Sequence, residues 1–289
     1  MYKAIFELSE TYPVKSLCDL YEMNRSSYYK WLKRKNNINQ EDEWIKDTIL
    51  NFHDLFNGIL GYRRMTLFMN RVFELKYNIK RIRRHMRELS VASAIRRKRK
   101  NYLSYKPEQV GENVLNREFK ASKPNEKWLT DVTEYKIIGS TKKLYLSAIL
   151  DLYDNSIIAY RMGTSNNNDL VFKTFDDSIK TYTGCENILF HSDRGFQYTN
   201  KTFKKKLDNV KFIQSMSRVG RCIDNGPMEA FWGVMEVEMY KLNEFRSIEQ
   251  LKMAIEEYIV FYNNHRYQPV LKGLTPMELR NQALDLIQY

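Results

Sequence analysis

Apolar positions recur at helical intervals through the first third of the chain and give way to strand-like runs beyond residue 123. From Val14 to Tyr21 the spacing predicts a helix with Leu17 and Leu20 turned inward. Glu22, Met23 and Asn24 make a tight break, and a second helix is predicted from about Arg25 to Lys35. Tyr28, Trp31 and Leu32 fall on its core side, whereas Arg25, Ser26, Tyr29, Lys30 and Lys33 fall on the other. Two short helices about a three-residue turn, the second polar and basic, fit a helix-turn-helix. A plain helical hairpin would give the same pattern.

A second helical unit follows. Glu41 to Phe56 carries a helical stripe through Trp44, Ile45, Ile49 and Phe52, and Gly58 and Gly61 punctuate it. A further helix is predicted to start near Tyr62 and to include Met65, Leu67, Phe68 and Met69. Another spans about Asn78 to Leu89, with Ile79, Ile82, Met86 and Leu89 on one face and Lys80, Arg81, Arg83, Arg84 and Arg87 over the rest. The run Arg96, Arg97, Lys98, Arg99, Lys100 leads into a polar, aperiodic stretch, so residues 93–123 read as a basic linker.

Beyond Lys123 the runs predict strands at 127–138, 143–150 and 156–162, joined by short turns as an antiparallel meander. A helix is predicted over Asp169–Tyr182, a strand over Asn187–His191, a helix over Thr199–Leu207 and a strand over Val210–Gln214. Helices at Ile248–Asn263 and Pro276–Ile287 complete the chain. This order describes an α/β fold, a mixed five-stranded sheet with flanking helices behind an all-α region. The expected division is 1–38 and 39–92 for two helical DNA-binding units, 93–123 for the linker and 124–289 for the α/β domain with its helical extension.

Charge sharpens that division. The chain of 289 residues carries a net +12. Residues 1–106 hold 23 Lys and Arg against 11 Asp and Glu, and the remainder holds 24 against 24, so the whole excess lies in the helical third. A basic part joined to a neutral part suggests nucleic-acid binding. The candidate contacts are Arg25, Lys30, Lys33, Arg63, Arg64, Arg81, Arg83, Arg84 and the run Arg96, Arg97, Lys98, Arg99 and Lys100. No apolar run approaches the roughly 20 residues of a membrane span. Met1–Glu10 has no secretory pattern, and the three cysteines, Cys18, Cys185 and Cys222, form no metal-binding pair.

Three acids are the candidate chemistry. Asp131 lies in the first strand, Asp193 follows the apolar run Ile188–Phe190, and Glu229 follows Asp224, Asn225, Gly226 and Pro227, where a helix should begin. Pro227 suits the first turn, with Asp224 or Asn225 as cap. If the first strand is central and the fourth lies beside it, Asp131 and Asp193 end on neighbouring strands and Glu229 approaches from a helix across the sheet. Close carboxylates resist joint ionisation, and divalent cations remove that conflict. Taken singly, each acid reads as an ordinary strand-end or surface residue.

Trp128, Thr130-Asp131-Val132-Thr133, His191-Ser192-Asp193-Arg194-Gly195, Gln197-Tyr198, Ser217-Arg218, Asp224-Asn225 and Met228-Glu229 together resemble the DDE transposases of bacterial insertion sequences. The similarity is to the group encoded in a second reading frame (OrfB-like), within the retroviral-integrase superfamily. Gly61-Tyr62-Arg63-Arg64, Phe261-Tyr262-Asn263 with Arg266, and Leu274-Thr275-Pro276 extend the same likeness to both ends of the chain. The resemblance implies an RNase H-like core and a metal-dependent nicking and strand-transfer enzyme. Asp131, Asp193 and Glu229 would hold two Mg²⁺ or Mn²⁺ ions. It also implies double-stranded DNA partners (terminal inverted repeats and target), a homo-oligomer on DNA, an upstream-frame protein joined by frameshift fusion, and a cytoplasmic, nucleoid-associated place in a bacterium. One position departs from the group, which usually carries Lys or Arg seven residues after the catalytic Glu. Here Glu236 stands there, and Lys241 is expected at a different helical angle. That departure keeps open a catalytically impaired or partner-dependent DNA-binding regulator derived from a transposase.

Overall fold

A computed structural model describes residues 1–36, 39–95, 113–182, 185–218 and 222–287. They belong to two compact units, Met1–Ala94 and Ile95–Tyr289.

In the first unit, helices α1 (Tyr2–Leu8), α2 (Val14–Leu20) and α3 (Arg25–Asn36) close a small core of Ile5, Leu17, Cys18 and Tyr28. Helix α1 has no counterpart in the sequence reading; its Tyr2 ring stacks on Trp31 at 5.7 Å between centroids. Leu20 is 74% exposed rather than inward. The inward stripe of α2 runs through Val14, Leu17 and Cys18, and Leu20 falls off it. Helices α4 (Gln40–Leu55), α5 (Tyr62–Val72) and α6 (Ile79–Glu88) follow, with Ile45, Ile49, Met65, Phe68, Met69, Ile82 and Met86 buried. Asn39 and Asn78 cap α4 and α6 by accepting the Glu41 and Lys80 N–H groups. Ile79, expected on the apolar face of α6, is exposed, and His85 takes a buried place between Asp42 and Glu88.

The second unit is a five-stranded sheet in the order β3-β2-β1-β4-β5. Its strands are β1 (Lys127–Lys136), β2 (Lys143–Asp151), β3 (Ile157–Gly163), β4 (Leu189–Ser192) and β5 (Ile213–Met216). The first three are antiparallel neighbours, whereas β1, β4 and β5 run parallel. Helices α7 (Asn168–Thr181) and α8 (Lys201–Asn209) make the crossovers, and their Val171, Phe175, Phe203 and Leu207 pack with Trp128, Ile149 and Phe190. Against the other set of strand positions, Leu129, Tyr135, Leu144, Leu146 and Leu150, lie α9 (Gly226–Met235) and α10 (Ile248–Asn264). Strand side chains alternate between faces, so Asp131 shares the α9 face with Leu129, while Thr130 turns to the α7/α8 face.

Helix α11 (Pro276–Ile287) is bolted to the sheet rather than appended to it. Arg280 is buried, its Nη1 2.9 Å from Asp151 Oδ2 and 2.9 Å from Asp154 Oδ2, with its guanidinium 4.6 Å from the Tyr182 ring centroid. Thr275 and Glu278 exchange bonds at the start of α11, Oγ1 accepting the Glu278 N–H and the carboxylate accepting the Thr275 N–H, which forms a capping box.

Candidate active site

The pairing of β1 with β4 sets Leu129 opposite His191. Two residues farther along come Asp131, in the middle of β1, and Asp193, just past the end of the shorter β4, so sheet register alone sets the two side by side. Asp193 opens the turn after β4, is exposed, and accepts the Gly195 N–H on Oδ1 at 2.8 Å. A Cβ on Gly195 would lie 2.8 Å from Gln197 Oε1 and 3.0 Å from Asp193 Oδ1, so a larger residue there would push the ends of both side chains aside. The turn is fixed to β1 from beneath. Thr130 Oγ1 donates to Ala148 O at 3.0 Å and accepts from the buried Tyr198 hydroxyl at 3.2 Å.

Helix α9 brings the third acid. Asn225 precedes its first residue but makes no side-chain cap; its Nδ2 donates instead to Thr130 O at 3.2 Å. Asp224 does not cap either. It is fully buried and accepts from Arg117 Nε (2.7 Å), Arg218 Nε (2.8 Å), Arg218 Nη2 (2.9 Å) and Asn113 Nδ2 (3.0 Å). The Arg218 guanidinium, followed by its backbone N–H and by Arg117, holds the Asp224 carboxyl well below the usual range, against the cost of burial. One turn into α9, Glu229 is half-buried. The next turn presents Trp232, whose Nε1–H donates to Asp131 Oδ2 at 3.1 Å.

Asp131 registers the presence of both other acids. Burial first, then the charge of Asp193 and, more weakly, that of Glu229 push its carboxyl up to about 6. The Val132 N–H on Oδ1, at 2.8 Å, and the Trp232 N–H oppose that rise. Among the described residues no three His, Cys, Asp or Glu side chains stand drawn in as a finished metal cage. Asp131 and Asp193 instead point oxygens at neighbouring N–H donors. The donor chemistry is carboxylate oxygen without thiolate, which suits a hard cation such as Mg²⁺.

His191 stands apart from this chemistry. Ser215 Oγ accepts the Leu115 N–H at 3.0 Å, so its own proton is free for His191 Nδ1 at 2.9 Å, and Nε2–H faces Ser217 Oγ at 3.0 Å. Burial holds the imidazole down at about 4, so it is neutral and joins β4 to β5.

The helix after Glu229 corrects an expectation. Residues Glu236–Tyr240 form a π turn, closed by the Lys241 N–H on Glu236 O at 2.8 Å. The extra residue in that turn swings Lys241 back to the side of Glu236, where Nζ lies 2.8 Å from Oε1. The same turn points Glu238 inward, to Arg266 Nε and Nη2 at 2.9 Å each and to the Tyr258 hydroxyl at 3.0 Å. Tyr258 thus ties the π turn to α10, Arg266 ties it to the chain just beyond that helix, and Asn263 brackets Ile157 at the start of β3.

The expected DNA contacts divide. Arg25, Lys30 and Lys33 are exposed on α3, and Arg63 and Arg83 are exposed beside the Tyr62 ring, at 5.8 Å and 5.0 Å from its centroid. Arg84 is exposed but lies 3.6 Å from both Asp42 and Glu88. Arg64 is half-buried. Arg81 is committed within its unit, with Nη2 2.8 Å from Glu41 Oε2 and 2.7 Å from Asp42 Oδ1. Residues 96–100 lie outside the described residues. Sequence reasoning places Trp232 in the core, offers Asn225 only as a helix cap and assigns Tyr198 no task of its own. The available signal is a polar atom on each within an otherwise apolar neighbourhood.

A central strand paired with an antiparallel meander on one side and two parallel strands on the other, with acids in the middle of β1, just past β4 and on a crossing helix, defines an integrase-type core of the RNase H-like class. Integrase core domain models match residues 121–222 and 229–284, and an HTH-like domain model matches residues 39–99. The protein named as transposase InsK of insertion sequence element IS150 in Escherichia coli is 40% identical over 97% of this chain and 98% of its own length. A transposase-like protein of Haemophilus influenzae is 40% identical over 73% of this chain and 96% of its own. The HTLV-2 integrase catalytic core domain in complex with magnesium matches 55% of this chain and 98% of that chain at 16% identity, with a TM-score of 0.43. The chain belongs to the insertion-sequence transposase family.

Proposed function

We propose that this chain cuts and joins DNA at the ends of an insertion sequence, with Asp131, Asp193 and Glu229 holding two Mg²⁺ or Mn²⁺ ions. The observation that carries the reading is the burden on Asp131. Its carboxyl feels both other acids, while Asp193 stays exposed at the strand end. Such a site favours a cation that offsets all three charges. Bound there, divalent ions supply Lewis acidity for an in-line displacement at phosphorus.

The residues divide the work by their surroundings. Asp131 is oriented by two N–H donors and gives the site a fixed point. Asp193, on an exposed turn, faces incoming DNA, and Glu229 closes the site from α9. Water attacks the phosphodiester at the element end and releases a 3′-hydroxyl. That hydroxyl attacks a second phosphodiester and displaces its 3′-oxygen. One P–O bond forms as one breaks in each step, so the exchange requires no outside energy source.

Arg25, Lys30, Lys33, Arg63 and Arg83 are the cations we assign to DNA phosphates, because they are exposed. The partners that go with this reading are terminal inverted repeats, target DNA, further copies of the chain on that DNA, and an upstream-frame product joined by frameshift. The test is a plasmid carrying the flanking inverted repeats, incubated with the full chain and Mg²⁺. Nicks at the repeat ends that vanish in EDTA and in Asp193→Asn are expected. DNA binding that survives EDTA, with no nick under Mg²⁺ or Mn²⁺, would leave a DNA-binding regulator instead.

A further inference from the structure

We infer that α9 is clamped to β1 at two points, by Asn225 and Trp232, and that these two residues position Glu229 against Asp131. The inference rests on the proposed function, since it assigns the clamp to the same acids. Glu229 and Trp232, three residues apart, share one face of α9, and Asn225 stands just before its first residue, four residues ahead of Glu229. The outer two each reach β1. Asn225 Nδ2 donates to Thr130 O at 3.2 Å, and Trp232 Nε1 donates to Asp131 Oδ2 at 3.1 Å. Glu229 lies between them. The helix therefore cannot slide or roll along the strand without breaking one of the two bonds, and the spacing of Glu229 from Asp131 is fixed with it.

The chemistry of each clamp residue suits the task. An indole N–H is a donor only and carries no charge. It orients a carboxylate without competing for a cation as a ligand would and without repelling one as Lys or Arg would. The indole is itself held, only 9% exposed and packed at 4.9 Å between centroids on Phe231. Its N–H thus transmits the position of α9 to Asp131 with little play. Asn225 is 4% exposed, and while its amide nitrogen serves Thr130, its buried Oδ1 has no hydrogen-bond partner among the described residues. An unpaired buried acceptor is a cost to stability, so a side chain chosen for packing alone would not keep it. Its place beside the strand of Asp131 marks Asn225 as serving the site.

The test is a Mg²⁺ titration of the full chain followed by the indole N–H resonances. Trp232→Phe identifies the Trp232 signal by its loss and keeps an aromatic ring in the core. In the native chain we expect the Trp232 signal to move with Mg²⁺ while those of Trp31, Trp44 and Trp128 hold still. In Asp131→Asn it should be displaced before any Mg²⁺ is added. In Trp232→Phe, half-saturation with Mg²⁺ should rise about 10-fold or more, the usual scale for groups that orient a metal ligand. Asn225→Ala should act in the same direction, with little change in affinity for DNA in EDTA. A Trp232 signal that stays fixed while the chain takes up Mg²⁺ would overturn the clamp and leave the proposed function standing. Uptake of Mg²⁺ that is unchanged in Asp131→Asn would overturn the proposed function itself. The native titration needs no variant to fold, so a poorly folded Trp232→Phe does not remove the test.

Discussion

Tyr198 gives its hydroxyl to Thr130 Oγ1 across 3.2 Å, and so joins the turn that carries Asp193 to the strand that carries Asp131. Removing that hydroxyl leaves no orphan, because Thr130 Oγ1 keeps Ala148 O as its acceptor. Tyr198→Phe should therefore lose only about 0.5–1.5 kcal/mol of stability in urea denaturation. Its nicking rate should fall more than its stability does, since the turn is freed from β1. Equal, small effects on both would show that this bond serves folding alone.

Arg280 faces two buried acids. Burial first, and then Asp151, raise the Asp154 carboxyl, and Arg280 opposes them. Arg280→Met should cost roughly 3–5 kcal/mol, the scale for breaking a buried ion pair from one side. The sign with pH follows. A carboxyl raised in the folded state binds its proton more tightly than in the unfolded chain, so its burden on stability grows as pH rises from the unfolded value. The variant should be less destabilised near pH 5 than near pH 7.5 in chemical denaturation. A loss independent of pH would contradict this account.

Asp224 behaves in the opposite sense. Its carboxyl is depressed, chiefly by Arg218, so the stability it contributes is present above the unfolded carboxyl value and is lost as pH falls through its folded one. Asp224→Asn should lower stability near pH 7 by about 1–3 kcal/mol and flatten the acid limb of the stability curve below pH 4. An unaltered acid limb would count against the bonding of Asp224 to Arg218, Arg117 and Asn113.

The basic residues of the first unit should not act alike on DNA. Exposed Arg83 or Lys33 changed to Ala should weaken binding across sequences and reduce the slope of log affinity against log salt by about one. Arg81→Ala should leave that slope unchanged, because Glu41 and Asp42 already hold the guanidinium. Equal slopes lost in all three variants would return Arg81 to the phosphate contacts.

Much of the second unit was legible because its sheet is patterned strongly. Alternation and turn residues marked all five strands, and their order allowed the central place beside β4 that β1 takes. The start of β5 did not. Val210 ends α8, Lys211 takes a left-handed φ of 57°, and the Phe212 N–H returns to Leu207 O at 2.9 Å. Residues expected in the strand are thus spent closing the helix. The π turn was also hidden, because its cause is the distant partnership of Glu238 with Arg266 rather than any local preference. Leu20 and Ile79 show the limit of apolar stripes in short helices, where one residue at the edge of the face can go either way. At the site, the acids stood out by chemistry, whereas Trp232 looked like any core aromatic until its N–H was seen to meet Asp131.

The most direct measurement is anomalous diffraction from crystals of the full chain soaked in Mn²⁺. The account predicts manganese among the carboxylates of Asp131, Asp193 and Glu229, as two peaks about 3.5–4 Å apart when DNA ends are bound. Manganese found only at other acids, with these three left without it, would contradict the account.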